Sequence, residues 1–262
     1  METGGVKLTV DDKELDRRRY DESARHELDE LDRSDPVLST GLDDTPRQYL
    51  PPYLHYYEQL RRVITPDSVV LELGAGSGRH TGVLTQRSRR VVASDISPLS
   101  LELCRRRTRG QAVAVCADIQ ALPFMADSFD VVTCAGSLSY GDPAVVDAEI
   151  RRVLRPGGAV VAVDSLNHNP VYRLNRWIQY RRGERTRSTM TRMPTMERML
   201  QLARGFEQVT IDRYGSYLYL HPILVRALGP ERAAEACEAL DRRAGGGRNA
   251  FKIVMVAEGY RG

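Results

Sequence analysis

Short apolar runs recur along this chain, and most end in an acid or a glycine-rich turn. Val69-Val70-Leu71-Glu72-Leu73 is apolar enough on both faces to predict a strand buried in a parallel sheet. It stops at Gly74-Ala75-Gly76-Ser77-Gly78, where the glycines allow a sharp turn and close approach of the backbone to a ligand. Further runs predict strands at Val91–Asp95, Ala112–Asp118 and Phe129–Gly136. A fifth, Ala159–Leu166, is fed by the turn Leu154-Arg155-Pro156-Gly157-Gly158. Phe206–Tyr214 and Ala250–Glu258 read as the sixth and seventh. Strands alternating with short helices imply an α/β fold with a doubly wound, mostly parallel sheet.

Helical spacing appears on the flanks. Tyr53, Tyr56 and Tyr57 follow Pro52 at helical intervals, and so do Leu174, Trp177 and Ile178 in a basic segment. Residues 231–243 form a third such pattern, closed by Gly245-Gly246-Gly247. Between the last two strands, Tyr217, Tyr219 and His221 alternate with Leu218 and Leu220, the period of a strand. Residues 11–35 carry mixed charge with only Leu15, Leu28 and Leu31 as apolar points, the pattern of a solvated or frayed helix.

Composition narrows the class. The chain has 262 residues and a formal net charge of +3, too small by itself to imply nucleic acid. No run has transmembrane length and the charged N-terminus is no signal peptide, so the expectation is a cytoplasmic protein without a membrane partner. Cys104, Cys116, Cys134 and Cys237 form no C-x-x-C pair. Cys116 and Cys134 fall in predicted core strands, which favours buried free thiols over disulfides or metal ligands.

The glycine spacing excludes the dinucleotide fingerprint G-x-G-x-x-G, because Arg79 stands where its third glycine would fall. The pattern G-x-G-x-G behind Glu72 suits a cofactor without phosphates, with an amino-acid end and a nucleoside end. Asp95 closes the second strand about twenty residues later, where a ribose-binding carboxylate belongs. Asp118 closes the third.

With Leu122-Pro123-Phe124, Asp127-Ser128-Phe129-Asp130 and Leu154-Arg155-Pro156-Gly157-Gly158 in order, residues 69–166 resemble the class I S-adenosylmethionine-dependent methyltransferases, in particular their small-molecule branch with a type 11-like domain. The resemblance implies a Rossmann-like sheet of seven strands, the last antiparallel, with helical cap insertions. It implies that Glu72, Gly74, Ala75 and Gly76 hold the methionine end of S-adenosylmethionine. Asp95 would take the ribose, Ile96 the adenine ring, Asp118 the adenine amino group, Ile119 would be a further cofactor contact, and Ala135 would lie near the sulfonium. Tyr20-Asp21-x-x-Ala24 resembles the start of the family, where an N-terminal helix folds over the cofactor. The implied division is a helical extension or cap over residues 1–65 and a methyltransferase domain over 66–262, with substrate-side insertions at about 167–200 and 216–248. Leu50-Pro51-Pro52-Tyr53 looks like the D/N-P-P-Y motif of exocyclic-amine methyltransferases. It has leucine in the polar position and precedes the glycine turn, so it does not carry that function.

Acceptor chemistry is sought in the flanks. Tyr49, Tyr53, Tyr56 and Tyr57 crowd a ten-residue stretch with His55, and Tyr53 and Tyr56 are candidate substrate contacts. Asn167, Tyr172, Arg173 and Arg176 follow the fifth strand in a region that also holds Arg181, Arg182, Arg185, Arg187 and Arg192. Guanidinium forks match phosphate and carboxylate, so an anionic acceptor suits this insert. His168, just past the strand's carboxyl end, is the candidate general base, with His55 and His221 in reserve. The expected function is methyl transfer from S-adenosylmethionine to a small polar acceptor such as a sugar or nucleotide-sugar, at oxygen, without a metal. S-adenosylhomocysteine is the product, and the protein is a monomer or homodimer. An RNA methyltransferase using the arginine-rich insert and a non-catalytic cofactor-binding partner protein are the alternatives.

Overall fold

The computed structural model describes residues 10–34, 41–43, 45–182, 191–244, 247 and 249–262. Arg185, Arg187, Gly245 and Gly246, named above, lie outside the described residues.

Seven strands form one sheet in the order β3-β2-β1-β4-β5-β7-β6. They are β1 (Val69–Leu73), β2 (Arg90–Asp95), β3 (Val113–Cys116), β4 (Phe129–Ala135), β5 (Leu154–Ser165), β6 (Phe206–Tyr214) and β7 (Lys252–Tyr260). β1 to β5 pair in parallel, and β7 runs antiparallel between β5 and β6. The order reverses on either side of β1, so the loops after β1 and β4 diverge above the sheet and leave a crevice between them.

The two faces of the sheet carry separate cores. Leu71 and Leu73 of β1 point to one, with Val132, Ala162 and Met255. Helices α5 (Pro143–Val153) and α7 (Met196–Leu202) cover that face through Val146, Ile150, Met199 and Leu202. Val70 points to the other, with Val131, Val161 and Val254. There α2 (Leu50–Val63) packs Tyr56, Tyr57 and Leu60 onto the strands, so this aromatic-rich helix is part of the sheet's own core. Pro51 and Pro52 open α2, where a missing N–H costs nothing. The remaining helices are α1 (Val10–Ser34), α3 (Thr81–Thr85), α4 (Pro98–Arg107), α6 (Pro170–Arg181), α8 (His221–Leu228) and α9 (Pro230–Ala244).

Three expectations are corrected. Tyr217–His221 is no strand: Leu218–Leu220 is a 3-10 turn running into α8, because Pro222 opens a helix and cannot donate to a sheet ladder. The Asp241 carboxylate fixes that turn by accepting from Gly215 N–H (2.6 Å) and Tyr217 N–H (3.1 Å). Cys116 is exposed, because β3 is the sheet's edge; Cys104, Cys134 and Cys237 are buried, and all four are free thiols. The N-terminal charged segment is a helix of 25 residues, and it is not merely solvated.

Candidate active site

The crevice at the strand-order reversal holds a cavity of about 410 Å3. Its floor comes from the turns that follow four successive strands. Gly74, Ala75 and Gly76 come from the β1 turn, Asp95 and Ile96 from β2, Asp118 and Ile119 from β3, and Ala135 from β4. Gly74 and Gly76 have φ of +64° and +53°, a left-handed backbone that glycine adopts without penalty. Asp95 is fixed before any ligand arrives. Its Oδ2 accepts from Gly76 N–H (2.8 Å) and its Oδ1 from Ser97 N–H (2.9 Å), tying the β2 turn to the glycine turn. Burial still raises its pKa above the ordinary value, against those backbone bonds.

α1 forms the lid. Lys13, Tyr20 and Glu27, one heptad apart, reach Asp118, Tyr140 and Arg107 respectively. Ser97 Oγ donates to Asp21 (2.6 Å) beside them. The mixed charge of this segment therefore faces partners across the cavity mouth as well as water, and Lys13, Asp16, Tyr20 and Ala24 line the cavity.

Glu72 lies behind the glycine turn, 1% exposed, and does not line the cavity. Its carboxylate accepts from Thr81 Oγ1 (2.6 Å). Burial, with Asp95 nearby, pushes its pKa from 4.5 up to about 7, with the Thr81 bond opposing. Ionised Glu72 thus destabilises the ligand-free fold by on the order of 3 kcal/mol above pH 7, a cost that vanishes as pH falls to 4.5. His80 has the opposite sign. Burial and the nearby Lys252 and Arg79 charges lower its pKa from 6.5 to about 4, so it costs nothing at pH 7 and a penalty builds as pH falls through that window. The two slopes offset one another in the wild type. Glu72→Gln is expected to raise ligand-free stability at pH 7.5 by up to about 3 kcal/mol and to make stability fall steeply from pH 6.5 to 4.5. Urea denaturation at several pH values checks this, and an unchanged pH profile would refute it.

A second cavity, of about 560 Å3, adjoins the first. Arg79, His80, Gly136 and Tyr140 line both. Its far walls are Tyr49 and Tyr53 from α2 and its leading turn, Tyr172 and Arg176 from α6, and Asp164 and Lys252 at the sheet's end. Lys252 is 7% exposed; its Nζ donates to Tyr53 Oη (2.9 Å) and lies 4.5 Å from that ring's centre. Asp164, also buried, is held by Leu138 N–H (3.0 Å) and Ser165 N–H (2.6 Å). Burial raises its pKa and Lys252 pulls the other way. Arg176 donates to Tyr172 Oη and stacks on its ring, 4.7 Å from the centre. Burial raises the Tyr172 pKa, but Arg176, Ser165 and Lys252 outweigh it and hold the phenol below its usual range. The second cavity is thus polar and predominantly cationic.

His80 was not singled out from the sequence. It stacks face to face on Tyr53 (5.3 Å between ring centres), meets Tyr56 and Tyr57 edge-on, and bonds Tyr57 Oη through Nδ1 (2.7 Å). The available signal was its place just after the glycine turn, next to Arg79, in a chain whose tyrosine cluster also precedes that turn.

Of the sequence-derived acceptor contacts, the structure brings Tyr53, Tyr172 and Arg176 together in the second cavity. Tyr56 is fully buried with its hydroxyl on Thr133 Oγ1 (2.5 Å), a core position rather than a wall. Asn167 donates its N–H to Pro194 O (3.0 Å), and Arg173 is exposed; neither lines a cavity described above. The three candidate histidines lie elsewhere. His168 Nε2 accepts from Met196 N–H (3.3 Å) and pins the start of α7. His55 bonds Tyr214 Oη (2.5 Å) and Gln59 (2.9 Å) on the β6 side of α2. His221 begins α8, with its Nε2 buried and unpartnered. Among the described residues no group of three or more His, Cys, Asp or Glu side chains could hold a metal ion.

Residues 71–162 match the model of a family described as methyltransferase domain. A demethylmenaquinone methyltransferase of Clavibacter sepedonicus is 37% identical over 144 residues, 50% of this chain and 51% of its own. A malonyl-acyl-carrier-protein O-methyltransferase of Herminiimonas arsenicoxydans is 35% identical over 98 residues, 37% of this chain and 36% of its own. The chain thus spans about half or less of the length of these curated relatives. Among solved structures, the cyclase SpnF aligns over 99% of this chain and 100% of its own with a TM-score of 0.62 at 16% identity. Geranyl diphosphate C-methyltransferase from Streptomyces coelicolor A3(2) aligns over 97% and 100% with a TM-score of 0.57 at 14% identity. Likeness at such low identity shows the fold alone.

Proposed function

We propose that this chain, a class I S-adenosylmethionine-dependent methyltransferase by its domain match and its fold, methylates an oxygen of a small polar acceptor that carries a negative charge. The observation that carries the reading is the pair of joined cavities, one floored by the glycine turn and the strand-end acids, the other walled by cations.

The residues of the first cavity fit the cofactor. Asp95 has its two oxygens positioned by backbone N–H groups at the end of β2, where a ribose diol is met. A β-carbon on Gly74 would collide with Ser137, so the close approach of backbone there is built in. Buried Glu72 gains a partner if a cationic amino group settles over the turn above it. Asp118 is reached by Lys13, so an adenine amino group there would share or displace that contact. When bound, the cofactor supplies a methyl group already activated on a sulfonium.

The chain's own work is to align the acceptor, exclude water and take a proton. Lys252, Arg176 and Arg79 hold the acceptor's charge at the far end of the second cavity and its rim. Tyr53 and Tyr172 offer flat apolar faces with polar tips. α1 and α6 close over the two cavities and keep water out. His80, at the shared wall and neutral at pH 7, accepts the hydroxyl proton as the methyl arrives. Alignment of this kind lowers a barrier by on the order of several kcal/mol. The methyltransferase relatives named above act on acceptors of different kinds, so the acceptor is read from this chain's own cationic cavity.

Asp95→Ala is expected to weaken S-adenosylmethionine binding by about ten- to hundredfold, as loss of a charged hydrogen-bond partner does, when measured by titration calorimetry. Turnover is then read as S-adenosylhomocysteine release across hydroxylated carboxylates and phosphates and their neutral counterparts. The reading expects the anions to be preferred by at least about tenfold. Equal rates on neutral acceptors would sink the charge assignment, and cofactor binding with no turnover on any acceptor would favour the binding-protein alternative.

A further inference from the structure

Helix α6 is built inside out. Tyr172, Arg176 and Gln179, at i, i+4 and i+7, are its partly buried positions, and all three line the acceptor cavity. No residue of α6 is fully buried. Its apolar side chains face away: Val171, Leu174, Trp177 and Ile178 are 51%, 57%, 49% and 36% exposed. At 3.6 residues per turn these four fall on the arc opposite the cavity-lining three. A helix on a water-soluble domain ordinarily turns its apolar stripe inward, and an apolar patch turned outward marks a contact surface.

We propose that the outer face of α6 docks on an anionic lipid surface, with the acceptor cavity directly beneath the docked helix. Charge selects this occupant. Apart from Arg176, which turns to the cavity, residues 170–182 hold Arg173, Arg181 and Arg182 and no acid. Two-fold pairing of α6 with a second copy would set these arginines against one another, whereas an anionic headgroup layer complements them. Arg181 lies over the Trp177 ring, 5.5 Å from its centre, so one cation sits beside the side chain that favours a membrane–water boundary. A basic helix with a Trp/Leu/Ile face and low overall hydrophobicity lies in the interface plane. Among the described residues no helix is long and apolar enough to cross a membrane. The expectation of no membrane partner rested on the lack of a spanning run, which a surface helix does not need.

Trp177 is the chain's one tryptophan, so its fluorescence reports on this face directly. Titrating the full chain with vesicles of equal parts phosphatidylglycerol and phosphatidylcholine is expected to shift Trp177 emission to the blue and carry the protein into the vesicle pellet. Pure phosphatidylcholine should do so about tenfold less well, and added salt should reverse the binding. A Leu174→Glu/Ile178→Glu variant is expected to lose vesicle binding by about tenfold or more while keeping wild-type S-adenosylmethionine affinity by calorimetry, which shows that it folds. The proposal is overturned if emission ignores both vesicle types, or if the double variant binds vesicles as well as wild type. A blue shift that follows protein concentration without lipid, or one produced only by an acidic protein, would assign the face to that partner instead. None of these outcomes depends on the identity of the acceptor.

Discussion

Replacing Gly74 by alanine is expected to abolish cofactor binding and to remove on the order of 3–5 kcal/mol of stability. Two causes add at this position. The backbone sits at φ +64°, where a residue with a β-carbon is disfavoured by about 1–2 kcal/mol. The new methyl would also stand 2.4 Å from Ser137 Cβ, well inside contact distance. Ser137 has no easy retreat, because its Oγ donates to Leu73 O (2.7 Å) and so joins the loop after β4 to the end of β1. Relief must come from parting the two turns that form the crevice. Gly76→Ala is the informative comparison, since its φ is +53° but an added β-carbon meets nothing within 4 Å. That variant should lose only the conformational share, about 1–2 kcal/mol. Urea midpoints for both variants, with calorimetry for the cofactor, measure the difference. Against a Ser137→Gly background, which lacks both the obstacle and the bond to Leu73 O, Gly74→Ala should cost only the conformational share. A Gly74→Ala protein that unfolds at the wild-type midpoint would overturn this account of the turn.

Most of this crevice was legible in the sequence because parallel strands bury both faces and end in turns whose chemistry is local. Val69–Leu73, the glycines and the terminal acids Asp95 and Asp118 are each visible within a few residues, and the sheet brings them together in chain order. The acceptor side was less legible because it depends on contacts between distant segments. Lys252 meets Tyr53 across 199 positions, and no local pattern foretells that pairing. Tyr53 and Tyr56 looked equivalent on one helical stripe, yet one turn of α2 separates a cavity wall from a fully buried core position. His168 stood out for its place just past the carboxyl end of the fifth strand, and the residue after it is a helix cap. Asn169 Oδ1 accepts from Val171 and Tyr172 N–H at the start of α6, while His168 holds α7. The apolar side of α6 was read correctly as helical, but periodicity does not say which side faces the protein.

His80→Asn is expected to lower kcat by about two to four powers of ten with S-adenosylmethionine affinity within about threefold of wild type. Asparagine can place a polar atom near the position of Nδ1 and keep the bond to Tyr57 Oη, so the variant isolates loss of the other ring nitrogen. The pH behaviour separates catalysis from packing. A base must be unprotonated, so activity is lost as pH falls through its pKa. In the free protein burial, Lys252 and Arg79 hold His80 at about 4, so the acid limb of kcat/KM should lie that low. An anionic acceptor lodged among the same cations offsets them and lets the imidazole pKa rise toward its ordinary range. The acid limb of kcat, which reports the loaded protein, should therefore lie at higher pH than that of kcat/KM. Both limbs should disappear in His80→Asn. Tyr57→Phe, which removes only the partner of Nδ1, should keep both limbs and lower the rate far less, since it acts through His80. Coincident limbs in the wild type, or a His80→Asn protein turning over within about threefold of wild type, would move the proton to another acceptor. Tyr172 would then stand next, its phenol already held below the usual range inside the same cavity.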